Sequence, residues 1–184
     1  MGDGKHRIVA IRTFGDELLS AVAPLGLAMS AGTALVVDLD RDGPPYPAER
    51  SVAELIEEGP RRAELFPERT GVAALPNGGA EPLAALELVE TLARHWPVVV
   101  VRIASGESPF PVIPVRPLWP GFLAPFGRRP AVWQRASTGS EPPGPGPVLP
   151  PPGRATVAAL LAGKRPFRSR WIRAWSRVWE LPWQ

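Results

Sequence analysis

The chain contains no cysteine, which removes disulfide cross-links, thiol nucleophiles and thiolate metal centres together. Histidine is nearly as scarce. With only His6 and His95, a histidine-built metal site lacks ligands. Lysine occurs only at Lys5 and Lys164, so arginine carries almost all of the positive charge. No apolar run reaches the roughly 20 residues that span a bilayer. The opening MGDGKHRIVAIR enters a strand-like pattern without an apolar targeting stretch, so export is not expected and a cytosolic protein is.

The 184 residues, 45% of them hydrophobic, suffice for one domain with a buried core. The net charge is +3, from 21 basic and 18 acidic residues. Arginine pairs with phosphate, carboxylate and aromatic faces. The same arginine, together with the 25 prolines and many alanines, is also what a GC-rich genome supplies. The basic balance permits an anionic partner without requiring one.

Strands and helices alternate through the first hundred residues. Arg7 to Arg12 is a short β-branched run that predicts a buried strand. Leu18 to Ala31 is an apolar helix closed by Gly32, with Pro24 as a kink. Ala34 to Asp38 predicts a strand covered on both faces. Ser51 begins a short helix, with Glu54 as its capping-box partner. Gly71 to Leu75 is a third strand, ended by the turn Pro76-Asn77-Gly78-Gly79.

Glu81 to His95 is a helix with Leu86, Val89, Leu92 and Ala93 on its apolar stripe. Pro97 to Ile103 is the most β-branched segment and therefore a central strand. Such alternation predicts a mainly parallel sheet. Beyond Ser105 the pattern weakens. Short strands are expected at Val112 to Val115, Ala131 to Gln134 and Val148-Leu149, with a turn or half-helix over 119–126. Residues 137–147 form a proline- and glycine-rich loop, and Arg154 to Ala162 a short helix.

Five segments carry a family resemblance by their order: RIVAIRT, LLSAVAPLGLAMSAGTALVVDLD, SVAELIEEG, GVAALPNGGAEPLAALELVETLARHWPVVVV and VLPPPGRATVAALLAGKRP. The chain resembles the ParA/MinD group of deviant-Walker ATPases over most of its length, least over 105–147. The resemblance implies an α/β fold: a P-loop NTPase-like three-layer sandwich, with a mainly parallel sheet and a truncated second half. It also implies a nucleotide pocket, and there the chain departs from the family.

The family's phosphate loop, close to K-G-G-x-G-K-[ST], points consecutive backbone N–H groups, a lysine and a hydroxyl at phosphate and Mg²⁺. Here the connection is Thr13-Phe14-Gly15-Asp16-Glu17-Leu18-Leu19. It is about three residues short, with one glycine, no lysine, and two carboxylates where phosphates would lie. Those acids stabilise a helix N-terminus without a ligand and repel a triphosphate. Where the family carries its Walker B aspartate, this chain has Arg102, a cation opposed to metal binding. Asp38 and Asp40 match the family's Asp-x-Asp and are expected to satisfy loop amides or to pair with Arg102. Gly15, Asp16, Glu17, Asp38, Asp40 and Arg102 thus form a vestigial pocket with no cofactor. The alternative is ATP with Mg²⁺ held by Asp38 and Asp40.

The segment 167–184 reads as a separate amphipathic helix. Phe167, Trp171, Ile172, Trp175, Val178 and Trp179 share one face, and Arg170, Arg173 and Arg177 lie opposite. This composition suits an anionic lipid interface, and the resemblance to the MinD branch implies a membrane-targeting helix. The same stripe equally suits a helix docked on the domain. Arg61, Arg62, Arg128, Arg129, Arg165, Arg168 and Arg170 are candidates for nucleic-acid contact, although scattered solvated charge is the simpler account. The expected function is a non-catalytic interaction, scaffold or positioning protein at or near the inner membrane surface. Its partner would be a protein, such as an active ParA/MinD-like paralogue.

Overall fold

The continuous apolar runs form the middle of a sheet. The computed structural model describes residues 7–67, 71–119, 130–136 and 141–183. Among the described residues seven strands are present: β1 (Arg7–Thr13), β2 (Ala34–Asp38), β3 (Val72–Leu75), β4 (Val98–Ile103), β5 (Val112–Leu118), β6 (Val132–Arg135) and β7 (Val148–Leu149). They lie in the order β3-β2-β4-β1-β5-β6-β7, and every neighbouring pair is parallel. The helices are α1 (Glu17–Ala31), α2 (Val52–Glu58), α3 (Arg62–Leu65), α4 (Pro82–Ala93), α5 (Arg154–Leu161) and α6 (Arg170–Trp175). A 3-10 turn over Ser176–Glu180 follows α6. This is an α/β protein with a parallel sheet flanked by helices. No helix among the described residues is long and apolar enough to cross a membrane.

Strand residues alternate between two cores, as a period of two requires. Val9, Ile11, Val36, Val100, Ile113 and Val115 face α1. Ala10, Leu35, Val37, Val99 and Val101 face α2 and α4, meeting Val52, Leu55, Leu88, Val89 and Leu92. Helix α1 is unusual in that every residue from Ala21 to Met29 is buried. A helix apolar all round must be covered all round. The sheet covers one side, and α6 with its 3-10 turn covers the other. Pro24 sits within this helix without ending it.

Several sequence expectations shift. Strand β5 extends to Leu118, three residues further than its apolar run, through Arg116 and Pro117. Pairing with β6 holds residues 116–118 extended where local propensity does not. The four-residue α3 was not foreseen, and the stripe of α4 buries Ala85 and Leu88, with Leu86 only partly covered. Of the turn or half-helix expected over 119–126, residues 120–126 lie outside the described residues. The expected single carboxyl-terminal helix is two pieces, α6 and the 3-10 turn.

That tail joins the main core. Trp171, Trp175 and Val178 are each at most 1% exposed. Trp171 and Trp175 meet edge to face at 5.5 Å, and Gly26 of α1 lets them approach. A β-carbon there would lie 2.4 Å from Trp171 and 2.6 Å from Trp175. The Trp171 indole donates to Gln134 Oε1 at 2.7 Å, and that of Trp179 to Ser30 Oγ at 2.9 Å. Full burial of one large apolar side chain stabilises by about 1.5–3 kcal/mol.

Candidate functional site

The strand order creates one singular place. β1 connects to β2 on one side of it, and β4 connects to β5 on the other, although β1 and β4 are neighbours. Open parallel sheets bind ligands where connections diverge in this way, outside the carboxyl ends of the strands. At that end the register sets Asp38 of β2 beside Arg102 of β4, with Ile11 of β1 on the far side.

Arg102 fills the crevice. It is 1% exposed, and its guanidinium uses four directed bonds. Nη1 donates to Asp38 Oδ2 at 3.2 Å and to the Pro44 carbonyl at 2.9 Å. Nη2 donates to Asp40 Oδ2 at 3.0 Å, and Nε to Ser20 Oγ of α1 at 3.3 Å. The Tyr46 ring lies under the cation, 5.5 Å from its centroid, and the Tyr46 hydroxyl donates to the Ala21 carbonyl at 3.1 Å. Gly43 closes over the top, where a β-carbon would stand 1.7 Å from Nη2. Only glycine allows this loop to press on the guanidinium.

The two carboxylates are satisfied on their other sides as well. Asp38 Oδ1 accepts the Asp40 amide at 3.0 Å. Asp40 Oδ1 accepts the amides of Asp42 at 3.1 Å and Gly43 at 3.2 Å. Asn77 clamps the strand end: it donates to the Asp38 carbonyl at 3.2 Å and accepts from Gly79 and Ala80. Burial pushes the Asp38 carboxyl up to about 6, against the opposing pull of Arg102. Burial also pushes the Tyr46 phenol up, so it stays a neutral donor.

The N-terminus of α1 is occupied from within too. Gly15 takes the left-handed turn at φ 68°, and Asp16 caps the helix by accepting the Leu19 amide at 2.8 Å. Glu17 adds a second acid to the first turn. The positive end of the helix therefore faces its own carboxylates. A magnesium nucleotide needs free amides, a free cation for phosphate and free carboxylates for the metal shell. These residues do not fit it. The amide at Leu19 is capped, the cation is paired and the aspartates are spent on Arg102. Among the described residues, no group of three or more His, Cys, Asp or Glu is placed to hold a metal ion.

The structure thus brings Asp38, Asp40 and Arg102 together beside the first turn of α1 and sets Gly15, Asp16 and Glu17 at the entrance to that helix. Ser20, Pro44, Tyr46 and Asn77 complete the site and were not singled out in sequence. Tyr46, the chain's single tyrosine, was the available signal. The tail residues divide differently from the expected stripe. Trp171, Trp175 and Val178 face inward, and Ile172 and Trp179 are half-buried. Arg170, Arg173 and Arg177 are exposed. Phe167 departs from its expected partners at 85% exposed. A lipid interface cannot use the tryptophan face, because α1 already covers it.

Among the basic candidates, Arg61 lies 3.5 Å from Glu58 and Arg62 opens α3. Arg165, Arg168 and Arg170 are exposed near one another in sequence, and Arg128 and Arg129 lie outside the described residues. No protein-family model, curated protein or solved structure matches this chain.

Proposed function

We propose that this chain is a non-catalytic relative of the ParA/MinD ATPases, a pseudo-ATPase that acts by binding a protein partner as a scaffold or positioning factor. Arg102, buried between Asp38 and Asp40 at the divergence of β1 and β4, carries this reading. The cation takes the place of a metal, and its carboxylates are held by it rather than offered to one. Admitting Mg²⁺ would mean expelling Arg102 from four hydrogen bonds and desolvating a second cation in its place. The parallel sheet, the adjacency of β2 and β4, and the order of the resembling segments support the family assignment. An active ParA/MinD-like paralogue is the first partner to test, because Arg102 fills the crevice where a nucleotide would bind and leaves the fold's surfaces to act.

Titration calorimetry of the full chain with ATP in the presence of Mg²⁺ separates this reading from an unorthodox ATPase built on Asp38 and Asp40. No saturable heat is expected. Micromolar affinity abolished by Asp38→Asn and Asp40→Asn would establish the alternative.

A further inference from the structure

The two edges of the sheet differ. The far edge, β7, is two residues long and stands between Pro147 and Pro150, and proline offers no N–H to a further strand. β3 carries neither charge nor proline over Val72–Leu75, so it lacks the devices that blunt an edge. Among the described residues it pairs with β2 alone. The Ala34 amide donates to the Gly71 carbonyl at 3.1 Å, and the register continues through Leu35↔Ala73. Residues 71, 73 and 75 therefore spend their main-chain groups on β2. Those of Val72 and Ala74 point away from the sheet, and no described residue bonds to them there.

Beside this edge lies a cavity of about 170 Å³, made apolar by Leu35, Ala63, Ala73, Leu75 and Trp96. Its walls are fixed. The Trp96 indole donates to the Glu64 carbonyl at 2.7 Å and seats α3. Arg50, 9% exposed, reaches Glu58 at 2.8 Å and Glu64 at 3.2 Å, which joins α2 to α3. An engineered core cavity of roughly 150 Å³ accepts a benzene ring, so this one has room for a single apolar side chain. The surrounding segment is acidic: residues 49–64 carry Glu49, Glu54, Glu57, Glu58 and Glu64 against Arg50, Arg61 and Arg62. Glu49 lines the cavity, is exposed and forms no ion pair with a described residue.

We propose that the β3 edge and this cavity receive an extended peptide segment of a partner protein. The segment adds a strand at Val72 and Ala74 and lowers one apolar side chain into the cavity. Bare main-chain donors and acceptors call for an equal set on the occupant. A peptide carries that set, and a hydrocarbon does not. The acidic surround selects a lysine or arginine next to the apolar residue. Such a site rests on the reading of the chain as a binder of protein partners, and is independent of whether the Arg102 crevice admits nucleotide. The two fail separately, because nucleotide titration reads the crevice and a peptide reads β3.

The probe is a fluorescein-labelled peptide, Lys-Thr-Ile-Thr-Lys, with isoleucine as the residue for the cavity and β-branched neighbours that favour an extended chain. Its anisotropy against the full chain at low salt should saturate. A peptide with glycine in place of isoleucine should bind about ten-fold more weakly. In amide hydrogen exchange, Val72 and Ala74 should gain protection when the probe binds.

Ala73→Leu projects into the cavity and should weaken binding about ten-fold, with thermal melting unchanged or raised. Ala74→Pro removes an outward N–H that the β2 ladder does not use and should weaken binding about five-fold. Ala73→Leu decides the matter even where Ala74→Pro does not fold. The absence of saturable binding overturns the proposal, as does binding that neither substitution alters. Uptake of free toluene without peptide binding would overturn it in favour of a small apolar ligand. A concentration-dependent dimer abolished by Ala74→Pro, again without peptide binding, would assign the edge to a second copy of the chain.

Discussion

Helix α1 meets two interiors of opposite character. Its first turn touches the Arg102 cluster through Ser20, and its middle, around Gly26, receives Trp171 and Trp175. The second interior is apolar and non-directional, so its stabilisation grows with the area removed from water. The first consists of charges whose desolvation cancels much of their attraction. It contributes little net stability when complete and costs heavily when one partner is missing. The tryptophan interface holds the tail to the fold, whereas the ion cluster occupies a crevice that would otherwise be open. Stability resides in one, occlusion in the other.

This contrast can be broken by substitution. Trp171→Ala removes a fully buried ring and leaves Gln134 Oε1 without its donor, so a loss of about 4 kcal/mol in urea unfolding is expected. A loss below about 1 kcal/mol would show that the tail does not seat on α1. Arg102→Met strands two buried carboxylates and should cost about 3 kcal/mol. Adding Asp38→Asn and Asp40→Asn to that variant should recover more than half of it, because no unpaired charge then remains. No comparable rescue exists for the tryptophan, whose loss leaves a cavity.

A smaller effect follows from acidity. The Asp38 carboxyl is raised from 3.8 to about 6 in the folded protein, so the native state binds its proton more tightly than the unfolded chain does. The stability linked to that proton is fully present below about pH 4 and is lost as pH rises through about 6. Compared with Asp38→Asn, the natural protein should therefore gain up to about 2 kcal/mol between pH 7 and pH 4. Equal pH dependence of the two, followed by chemical denaturation, would mean that Asp38 is not desolvated as described.

Much of the sheet was legible because buried parallel strands read as continuous apolar runs, as over residues 34–37 and 98–101, each followed by the one charged residue of its strand. Strand β5 was only half legible, since Arg116 and Pro117 break its local pattern and its extension depends on pairing with β6. Asp38 and Arg102 could be paired in advance because Asp38 ends its strand, Arg102 lies one residue from the end of its own, and the family resemblance gives both to one nucleotide pocket. Tyr46, Pro44 and Asn77 reach the cluster from loops, whose paths leave no periodic trace.

The tail was ambiguous for a different reason: a tryptophan stripe has the same spacing whether lipid or protein covers it. The deciding signal lay elsewhere, in α1. A run of Ala21 to Met29 with no polar face needs a second cover, and the tryptophan stripe is the apolar face that supplies it.

The claim that the crevice is filled from within is tested most directly by a double-mutant cycle between Arg102 and Asp40, using Arg102→Met and Asp40→Asn at pH 8. For a buried pair 3.0 Å apart, a coupling of about 2 kcal/mol is expected. A coupling indistinguishable from zero would mean that the guanidinium does not sit between the aspartates, and the crevice would be open after all.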